Sequence, residues 1–433
     1  MFSVFSNAWK IEDLRKKILY VIMILFIYRI GANIPMPGID LSMWQTFRAG
    51  GGAGGGLFGD TLFNAIAGGG FGTIFAMGIG PYITASIIMQ LLGVAIPKFE
   101  QLKKEGEEGK RKMNQITKVL AVVMAVLQGA GMVFSFYQMN LFIYPTFVTY
   151  LIAMLSLVTG TIFVMWLGEL ITEKGIGNGT SFMIFANILS ALPGALVNLG
   201  VMAWFGNWAQ AVVIVLLALL FFVLICLAIL IQEGERRIPV QNSKKAVGTA
   251  THAGANSSFI PIKVNIAGVM ALIFSLSILQ FPAMIQSINP NSEILNTIVH
   301  HLSLTMPVGA ILYMLLIVAF TFFYTSFAVN PREMAENLKK NGGFIPGIRP
   351  GQPTTEYIER TIHRISWIGA ISYVMLAMIP IVFEVAMSFV PGIAPITVGF
   401  GGTTLLIVTG VALELVKKLQ SNMLMRHYKG FLE

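Results

Sequence analysis

The chain has 433 residues, of which 55% are hydrophobic and 11% charged, and its mean hydropathy is +0.76. A soluble fold cannot bury that much apolar surface, so the composition excludes a soluble globular domain and indicates a polytopic membrane protein. The net charge of +9 is compatible with a nucleic-acid partner, but in a membrane protein Lys and Arg first report orientation. The single cysteine, Cys226, lies in an apolar run and is predicted to be a free, buried thiol.

Apolar runs long enough to cross a membrane recur ten times along the chain. They cover residues 18–36, 73–96, 118–138, 147–170, 181–200, 211–231, 264–286, 306–329, 366–389 and 397–416. The first run follows a basic flank, as a signal peptide would, but no small-residue cleavage site follows it, so it is predicted to be retained as the first helix. The sequence therefore predicts an all-α polytopic membrane protein with ten transmembrane helices.

Between the first two runs, a short apolar segment, residues 57–67, hangs between two glycine runs. A segment of this length cannot cross a hydrocarbon core of about 30 Å, which is typical of a re-entrant or interfacial element. Glycine tethers leave such an element free to take more than one position. The pattern predicts a small movable body, with an external loop that carries a hydrophobic bump as the alternative.

The basic residues set the orientation of the chain. With a cytoplasmic N-terminus, every Lys and Arg except Arg29 and Arg48 lies on the cytoplasmic side, as the positive-inside rule requires. Both termini are thus predicted to face the cytoplasm. The long loops at residues 37–72 and 232–263 then occupy corresponding places on opposite sides, which indicates an inverted repeat of two five-helix halves.

The middle of the predicted spans is almost free of charge. The ionisable residues Arg29, Glu169, Glu384 and Glu414 lie near predicted helix ends. An ion-coupled transporter usually keeps carboxylates or histidines at mid-membrane, and no such relay is visible. A pathway through this protein would instead be lined by aliphatic side chains, which close a pore to ions by dewetting.

No catalytic motif is present: the sequence lacks HExxH, GxSxG and a P-loop, and its five histidines fall in predicted loops or at helix ends. No catalytic residue, metal site or cofactor is predicted. The glycine-rich KGIGNGTS at residues 174–181 has no strand before it, so it is predicted to be a tight turn that opens the fifth span. A solute permease and an intramembrane enzyme are kept as alternatives; they would need a polar mid-membrane site and a catalytic pair, respectively.

The loops at residues 232–263 and 330–365 are the extensive polar surfaces of the chain. Their basic residues include Arg236, Arg237, Lys244, Lys245 and Arg349. Arg349 stands between a Pro-Gly pair on each side, which fixes the backbone around it. This arrangement predicts contact with an acidic protein face or an RNA backbone, although solvated loops that merely obey the positive-inside rule are the alternative.

Six long sequence blocks follow one another along the chain. They are YRIGANIPMPGID at 28–40, FAMGIGPYITASIIMQLL at 75–92, KKEGEEGKRK at 103–112, VTGTIFVMWLGELITEKGIGNG at 158–179, VNPREMAENLKKNGGFIPGIRPG at 329–351 and FGGTTLLIV at 400–408. In this order they resemble the SecY family of protein-conducting channels over nearly the whole chain, and their details are similar to bacterial members.

The resemblance implies an hourglass channel whose two pseudo-symmetric halves, residues 1–200 and 201–433, surround a central pore. A ring of aliphatic side chains would close the pore: Ile79, Ile83, Thr180, Ile184, Ile273 and Ile407. Thr180 departs from the branched aliphatic residue usual there, so either this seal is wetter or the register of the fifth span differs by one residue. The tethered segment, extended to residues 57–71, would be a plug beneath the ring, with Leu57, Phe58, Leu62, Phe63, Ile66 and Phe71 as its apolar residues.

The resemblance also implies a lateral gate and docking surfaces. The gate would lie between spans 2 and 7, with spans 3 and 8 beside them, and the polar residues Ser86, Gln90, Gln128 and Asn265 would face across it. Ordinary hydrogen bonds between helices are the alternative role for these four residues. The two polar loops would bind the ribosome and the SecA ATPase motor through Arg236, Arg237, Lys244, Lys245 and Arg349; the first loop is less basic than expected, which weakens the assignment of its two lysines. The implied partners further include the small membrane subunits SecE and SecG, signal peptides, nascent chains and the lipid bilayer.

The implied function is transport of unfolded polypeptides across the bacterial cytoplasmic membrane and insertion of apolar segments sideways into lipid. No cofactor is implied, and the energy must come from outside the chain because no nucleotide site is visible in the sequence.

Overall fold

The computed structural model describes residues 2–49, 70, 72–205, 208–242, 258–286, 292–304, 306–388 and 402–429. Its helices are α1 (Phe2–Lys10), α2 (Glu12–Gly31), α3 (Leu41–Ala49), α4 (Gly80–Ala95), α5 (Pro97–Lys104), α6 (Glu107–Gln138), α7 (Phe147–Lys174), α8 (Gly179–Phe205), α9 (Trp208–Glu233), α10 (Met270–Gln286), α11 (Glu293–Leu302), α12 (Pro307–Ala328), α13 (Pro331–Lys340), α14 (Gln352–Ser388) and α15 (Gly402–Lys429). Its strands are β1 (Glu235–Asn242), β2 (Ser258–Lys263) and β3 (Gly343–Phe344).

Five helical segments among the described residues are long and apolar enough to cross a membrane. They are Glu107–Gln138, Phe147–Lys174, Ala211–Glu233, Pro307–Lys340 and Gln352–Phe383. Each of them overlaps one of the ten predicted spans. The other five predicted spans overlap α2, α4, α8, α10 and α15, so the described residues contain a helix in each of the ten predicted spans.

The second predicted span differs from the structure at its start. The apolar run begins at residue 73, but residues 72–79 form turns and α4 begins only at Gly80. Pro81 lies in the first turn of α4, where its missing N–H costs no helical hydrogen bond and its fixed φ favours the start of a helix. Proline therefore sets the beginning of this helix, which hydropathy alone cannot locate.

The described residues are mostly helical, as predicted, but the polar loops contain strands that the sequence did not predict. There a three-stranded antiparallel sheet forms with the strand order β2-β1-β3. β1 pairs with β2 from Glu235 opposite Lys263 to Val240 opposite Ser258, and its end pairs with β3 through Gln241 opposite Phe344. The sheet therefore joins the loop at residues 232–263 to the loop at residues 330–365.

The two joined loops have a small hydrophobic core of their own, separate from the core of the helical bundle. Its buried residues come from β1, β2, α13, the turn after β3 and the start of α14: Ile238, Ile262, Ala335, Ile345, Ile358, Ile362 and Ile365. We call this sheet together with α13 and its core the loop unit. A unit with its own core holds its exposed charges in fixed places, which a solvated loop does not do.

Cys226 lies in α9 and is exposed on the surface of the helical bundle, so its prediction as a buried residue is wrong. The apolar run around it has large exposed side chains, including Phe222, Val223 and Leu230. In a membrane protein an apolar residue faces lipid as readily as it faces the protein interior, because lipid tails are as apolar as a protein core. Hydrophobicity therefore could not decide the burial of this thiol.

Candidate functional site

Five of the six residues expected in the ring are isoleucines that lie deep inside the helical bundle. Each of Ile79, Ile83, Ile184, Ile273 and Ile407 exposes between 1% and 6% of its surface. All five belong to one contiguous cluster of buried apolar side chains, to which α4, α8, α10 and α15 contribute. Residues from both halves of the sequence thus meet in the same apolar region.

Ile79 is positioned by the turns that precede α4. Residues 72–79 run beside the end of α2: the Met36 N–H donates to the Gly72 carbonyl at 2.9 Å, and the Ile74 N–H donates to the Ile34 carbonyl at 3.1 Å. Phe75 stacks face to face on Tyr28 of α2, with 5.7 Å between the ring centroids. These contacts fix the chain just before Ile79, and Ile83 follows one helical turn later.

The turn between α7 and α8 positions Thr180 and Ile184, the ring residues expected from the fifth predicted span. The prediction of a tight turn at residues 174–181 is confirmed. The hydroxyl of Thr172 accepts a hydrogen bond from the Gly179 N–H at 2.9 Å and donates to the Gly168 carbonyl at 3.0 Å. A β-carbon on Gly179 would lie 1.7 Å from that same carbonyl oxygen, so only glycine fits there. Thr172 was missed in the sequence because its partners lie on both sides of a turn.

Thr180 lies in the first turn of α8 and is half-buried, while Ile184 one turn later is buried. The Thr180 N–H donates to the side chain of Asn178 at 3.0 Å. Its backbone nitrogen lies beside Gly168, which the tip of the Ile79 side chain also approaches. Thr180 and Ile79 therefore both lie beside Gly168. Thr180 is the polar and less buried member of the expected ring.

The residues expected at the gate lie on or near helices that touch: α10 packs against both α4 and α6. The Gln90 amide donates to the Ser86 hydroxyl at 3.2 Å, but this bond lies within α4 and does not cross to another helix. Buried atoms of Gln90, Gln128 and Asn265 have no hydrogen-bond partner among the described residues. Asn265 lies in the segment before α10, not in a helix as expected, because α10 begins at Met270.

The residues expected in the plug fall outside the described residues. These are Leu57, Phe58, Leu62, Phe63, Ile66 and Phe71. Lys244 and Lys245, expected at the docking surface, also fall outside them.

Arg236 and Arg237 lie on β1 of the loop unit and are both exposed. Neighbouring residues of a strand point to opposite faces, so the two guanidinium groups face different ways. Arg237 pairs with Glu235 at 2.7 Å and lies over the ring of Phe259 of β2, 4.8 Å from its centroid. Arg237 is thus held by two neighbours, whereas Arg236 extends from the face that also carries the buried Ile238.

Arg349 is exposed on a turn whose neighbours are anchored in the loop unit. Ile345 is buried in the core of that unit, and Ile348 packs against it. The hydroxyl of Thr354 donates to the Arg349 carbonyl at 2.8 Å. The backbone at Arg349 is therefore fixed from both sides, as the proline and glycine spacing predicts, while its side chain faces solvent.

One side chain of α6 and one of α7 form an ion pair that the sequence did not reveal. Lys118 of α6 and Glu169 of α7 lie 2.6 Å apart, and each is partly exposed. Among the described residues no group of three or more His, Cys, Asp and Glu side chains has the spacing of a metal site.

This chain is similar to known proteins in both sequence and fold. The family described as SecY matches residues 73–416. A relative from Streptomyces galbus, named protein translocase subunit SecY, is 41% identical over the full length of both chains. The fold is shared with a solved structure described as "The plug domain of the SecY protein stablizes the closed state of the translocation channel and maintains a membrane seal", with a TM-score of 0.62 at 18% identity, covering 93% of this chain and 91% of that one. It is also shared with Sec61 in the canine ribosome-channel complex from the endoplasmic reticulum, with a TM-score of 0.57 at 18% identity over 93% and 91% of the two chains.

Proposed function

This chain belongs to the SecY family and is a protein translocase subunit, and from that premise we propose that its buried isoleucines form the constriction through which polypeptides pass. We call Ile79, Ile83, Thr180, Ile184, Ile273 and Ile407 the collar. The single observation that carries the proposal is the presence of five of these residues, from four helices of both halves and from the turn before α4, in one buried apolar cluster.

An apolar collar explains how one channel can transport polypeptides of many sequences and still block the passage of ions. Isoleucine side chains pack against any extended chain and form no hydrogen bonds with it, so they do not select a sequence. When no chain is present, a narrow apolar passage excludes water and with it dissolved ions. The collar is therefore expected to act as a seal in both states.

The proposed architecture has ten transmembrane helices in two inverted halves, residues 1–200 and 201–433, around the collar. Five segments with the length and apolarity of membrane spans, together with a helix in each remaining apolar run, support it. The distribution of Lys and Arg supports cytoplasmic termini, and the bacterial relatives support a place in the bacterial cytoplasmic membrane.

The gate is proposed to open where α10 meets α4 and α6. A signal peptide or apolar segment would enter between these helices, and sufficiently apolar segments would leave sideways into lipid. The plug, residues 57–71, would close the collar from outside. The plug domain named in the solved SecY structure supports this assignment.

The loop unit is proposed to be the docking surface for cytoplasmic partners, namely the ribosome and the SecA motor. Exposed Arg236 and Arg349 support it, because each projects from a backbone that is fixed by its neighbours. Lys244 and Lys245 would extend the same basic surface. Sec61 in a ribosome-channel complex supports the ribosome as a partner, and the family supports SecE and SecG as membrane subunits.

Substitution of Ile83 and Ile273 by asparagine tests the collar. An amide in the constriction lowers the cost of wetting by about 1–3 kcal/mol, so ion flux through the closed channel should rise about five- to 150-fold. The measurement is ion flux across vesicles that contain the purified complex. Flux unchanged by both substitutions, in complexes that remain folded and assembled, would contradict the collar.

A solute permease is the second candidate, and an intramembrane enzyme is the third. The permease needs a polar mid-membrane site and the enzyme needs a catalytic pair, and the sequence offers Glu169, Glu384 and Glu414 as the carboxylates of the spans. Single substitution of each by glutamine should leave polypeptide transport intact. Loss of transport in one of them, without loss of folding, would favour the alternatives.

A further inference from the structure

Gln232, near the end of α9, is buried and bonded to another helix far away in the sequence. Its amide nitrogen donates to the backbone carbonyl of Leu406 in α15 at 2.9 Å and to the hydroxyl of Thr409 at 3.2 Å. Only 8% of its surface is exposed. No resemblance or motif in the sequence assigns a role to this residue.

The acceptor of the Gln232 amide lies immediately beside the collar. Leu406 precedes Ile407 in α15. A carbonyl oxygen has two lone pairs, so it accepts the Gln232 amide in addition to its bond within the helix. The amide therefore binds the backbone of α15 as well as the Thr409 side chain, at the point from which Ile407 projects.

The surrounding residues are shaped to admit the Gln232 side chain. A β-carbon on Gly410 would lie 3.2 Å from the Gln232 nitrogen and 3.5 Å from a methyl group of Val269, just before α10. Any larger residue at position 410 would thus press on the amide. Three elements, α9, α15 and the start of α10, meet at this point, and the last two carry Ile407 and Ile273 of the collar.

We propose that Gln232 is a positioning residue for the constriction: its amide holds the α15 backbone against α9 and so keeps Ile407 in the collar. This inference rests on the proposed function, because it gives the residue a role only if the collar is the seal. Without the bond, α15 is free to shift, and the Ile407 side chain leaves its place more often.

A cysteine at position 407 reports this shift directly. The test uses the purified complex in vesicles, with Cys226→Ser to remove the native thiol and Ile407→Cys to place a new one. Gln232→Leu retains the size of the side chain and removes the bond. A hydrogen bond between membrane helices changes the equilibrium between two helix positions by a factor of about three to fifteen. Modification of Cys at 407 by a membrane-impermeant thiol reagent should therefore be faster by that factor in Gln232→Leu.

Ion flux measured without the cysteine is the second readout, and it should rise in Gln232→Leu. Gly410→Ala tests the same contact without removing any hydrogen-bonding group, so it serves if Gln232→Leu does not assemble. Gln138→Leu is the matched control, because Gln138 is exposed at the end of α6; neither readout should change in it.

Ile407→Asn separates failure of this inference from failure of the proposed function. If Ile407→Asn raises ion flux while Gln232→Leu and Gly410→Ala change neither flux nor thiol reactivity, the collar stands and the role of Gln232 is wrong. If Ile407→Asn also leaves flux unchanged, the collar itself is wrong, and the inference is overturned with it. The inference is supported if Gln232→Leu shows both faster modification and raised flux, whether or not its thermal stability falls. A purely structural bond would change only the stability.

Discussion

The contact of α10 with α4 and α6 and the contact of α9 with α15 differ in how they are held together. Among the described residues, no hydrogen bond or ion pair between side chains joins α10 to α4 or α6, and buried amide atoms of Gln90 and Gln128 have no partner. Between α9 and α15, the Gln232 amide donates to the α15 backbone and Glu233 pairs with Lys417 at 3.6 Å. We call the first contact the front seam and the second the rear seam.

The difference indicates which seam opens. Among the described side chains, separation of the front seam breaks no hydrogen bond between helices, so its cost is mainly lost apolar contact. Separation of the rear seam leaves a buried amide unpaired. A channel that must open repeatedly toward lipid therefore has its weak seam at the proposed gate.

The largest effect that tests this comparison is expected from Gln128→Leu. An unpaired buried amide costs about 1–3 kcal/mol in the closed state, and opening at the proposed gate would expose the Gln128 amide to water. Leucine removes that cost, so the closed state should be favoured about five- to 150-fold. Transport of a substrate with a weak signal peptide should fall relative to one with a strong signal peptide. The same chemical change at the rear seam, Gln232→Leu, acts in the opposite direction.

Gln138→Leu in the same helix is the control for Gln128→Leu and should leave both substrates unaffected. If Gln128→Leu instead increased transport of the weak substrate, the two seams would not differ in the way described.

A smaller effect is expected from Thr180→Val, which removes the one hydroxyl of the collar and retains its β-branched shape. Removal of a polar group from the constriction makes wetting less favourable, so ion flux through the closed channel should fall about two- to tenfold. Thr180→Ser retains the hydroxyl and serves as the control. Equal flux in Thr180→Val and the unchanged protein would show that Thr180 does not face the pore, and that the register of the fifth span is shifted.

The smallest effect is expected from Glu233→Gln at the rear seam. Both partners of the ion pair with Lys417 are about half exposed, and exposed ion pairs contribute at most about 1 kcal/mol. Ion flux and thermal stability should therefore change little, which would assign the strength of the rear seam to the buried Gln232 amide. A loss as large as that in Gln232→Leu, measured in the same vesicles, would assign it to the ion pair instead.

Hydropathy predicts the positions of the helices well because every membrane span must be both long and apolar. Three isoleucines of the collar, Ile79, Ile83 and Ile407, lie in the sequence blocks that resemble a family, whereas Ile184 and Ile273 lie outside those blocks. All five share one buried cluster. Hydropathy failed where a residue can face either lipid or protein, as with Cys226, and where proline delays a helix, as at Gly80.

Contacts between distant parts of the chain were invisible in the sequence. Gln232 and Leu406 are 174 residues apart, and nothing local distinguishes Gln232 from any other polar residue at a helix end. The loop unit was missed for the same reason: β3 has only two residues, so its pairing with β1 depends on the fold that brings the two loops together.

Photo-crosslinking from a translocating polypeptide that is trapped in the channel tests the central claim most directly. The crosslinker is placed in the trapped segment, and the modified residues of the channel are identified by mass spectrometry. The account predicts adducts at Ile83, Ile184, Ile273 and Ile407 and none at outward-facing residues such as Leu219 and Phe222, which are 61% and 67% exposed. Adducts confined to the outer surface, with none in the collar, would contradict it.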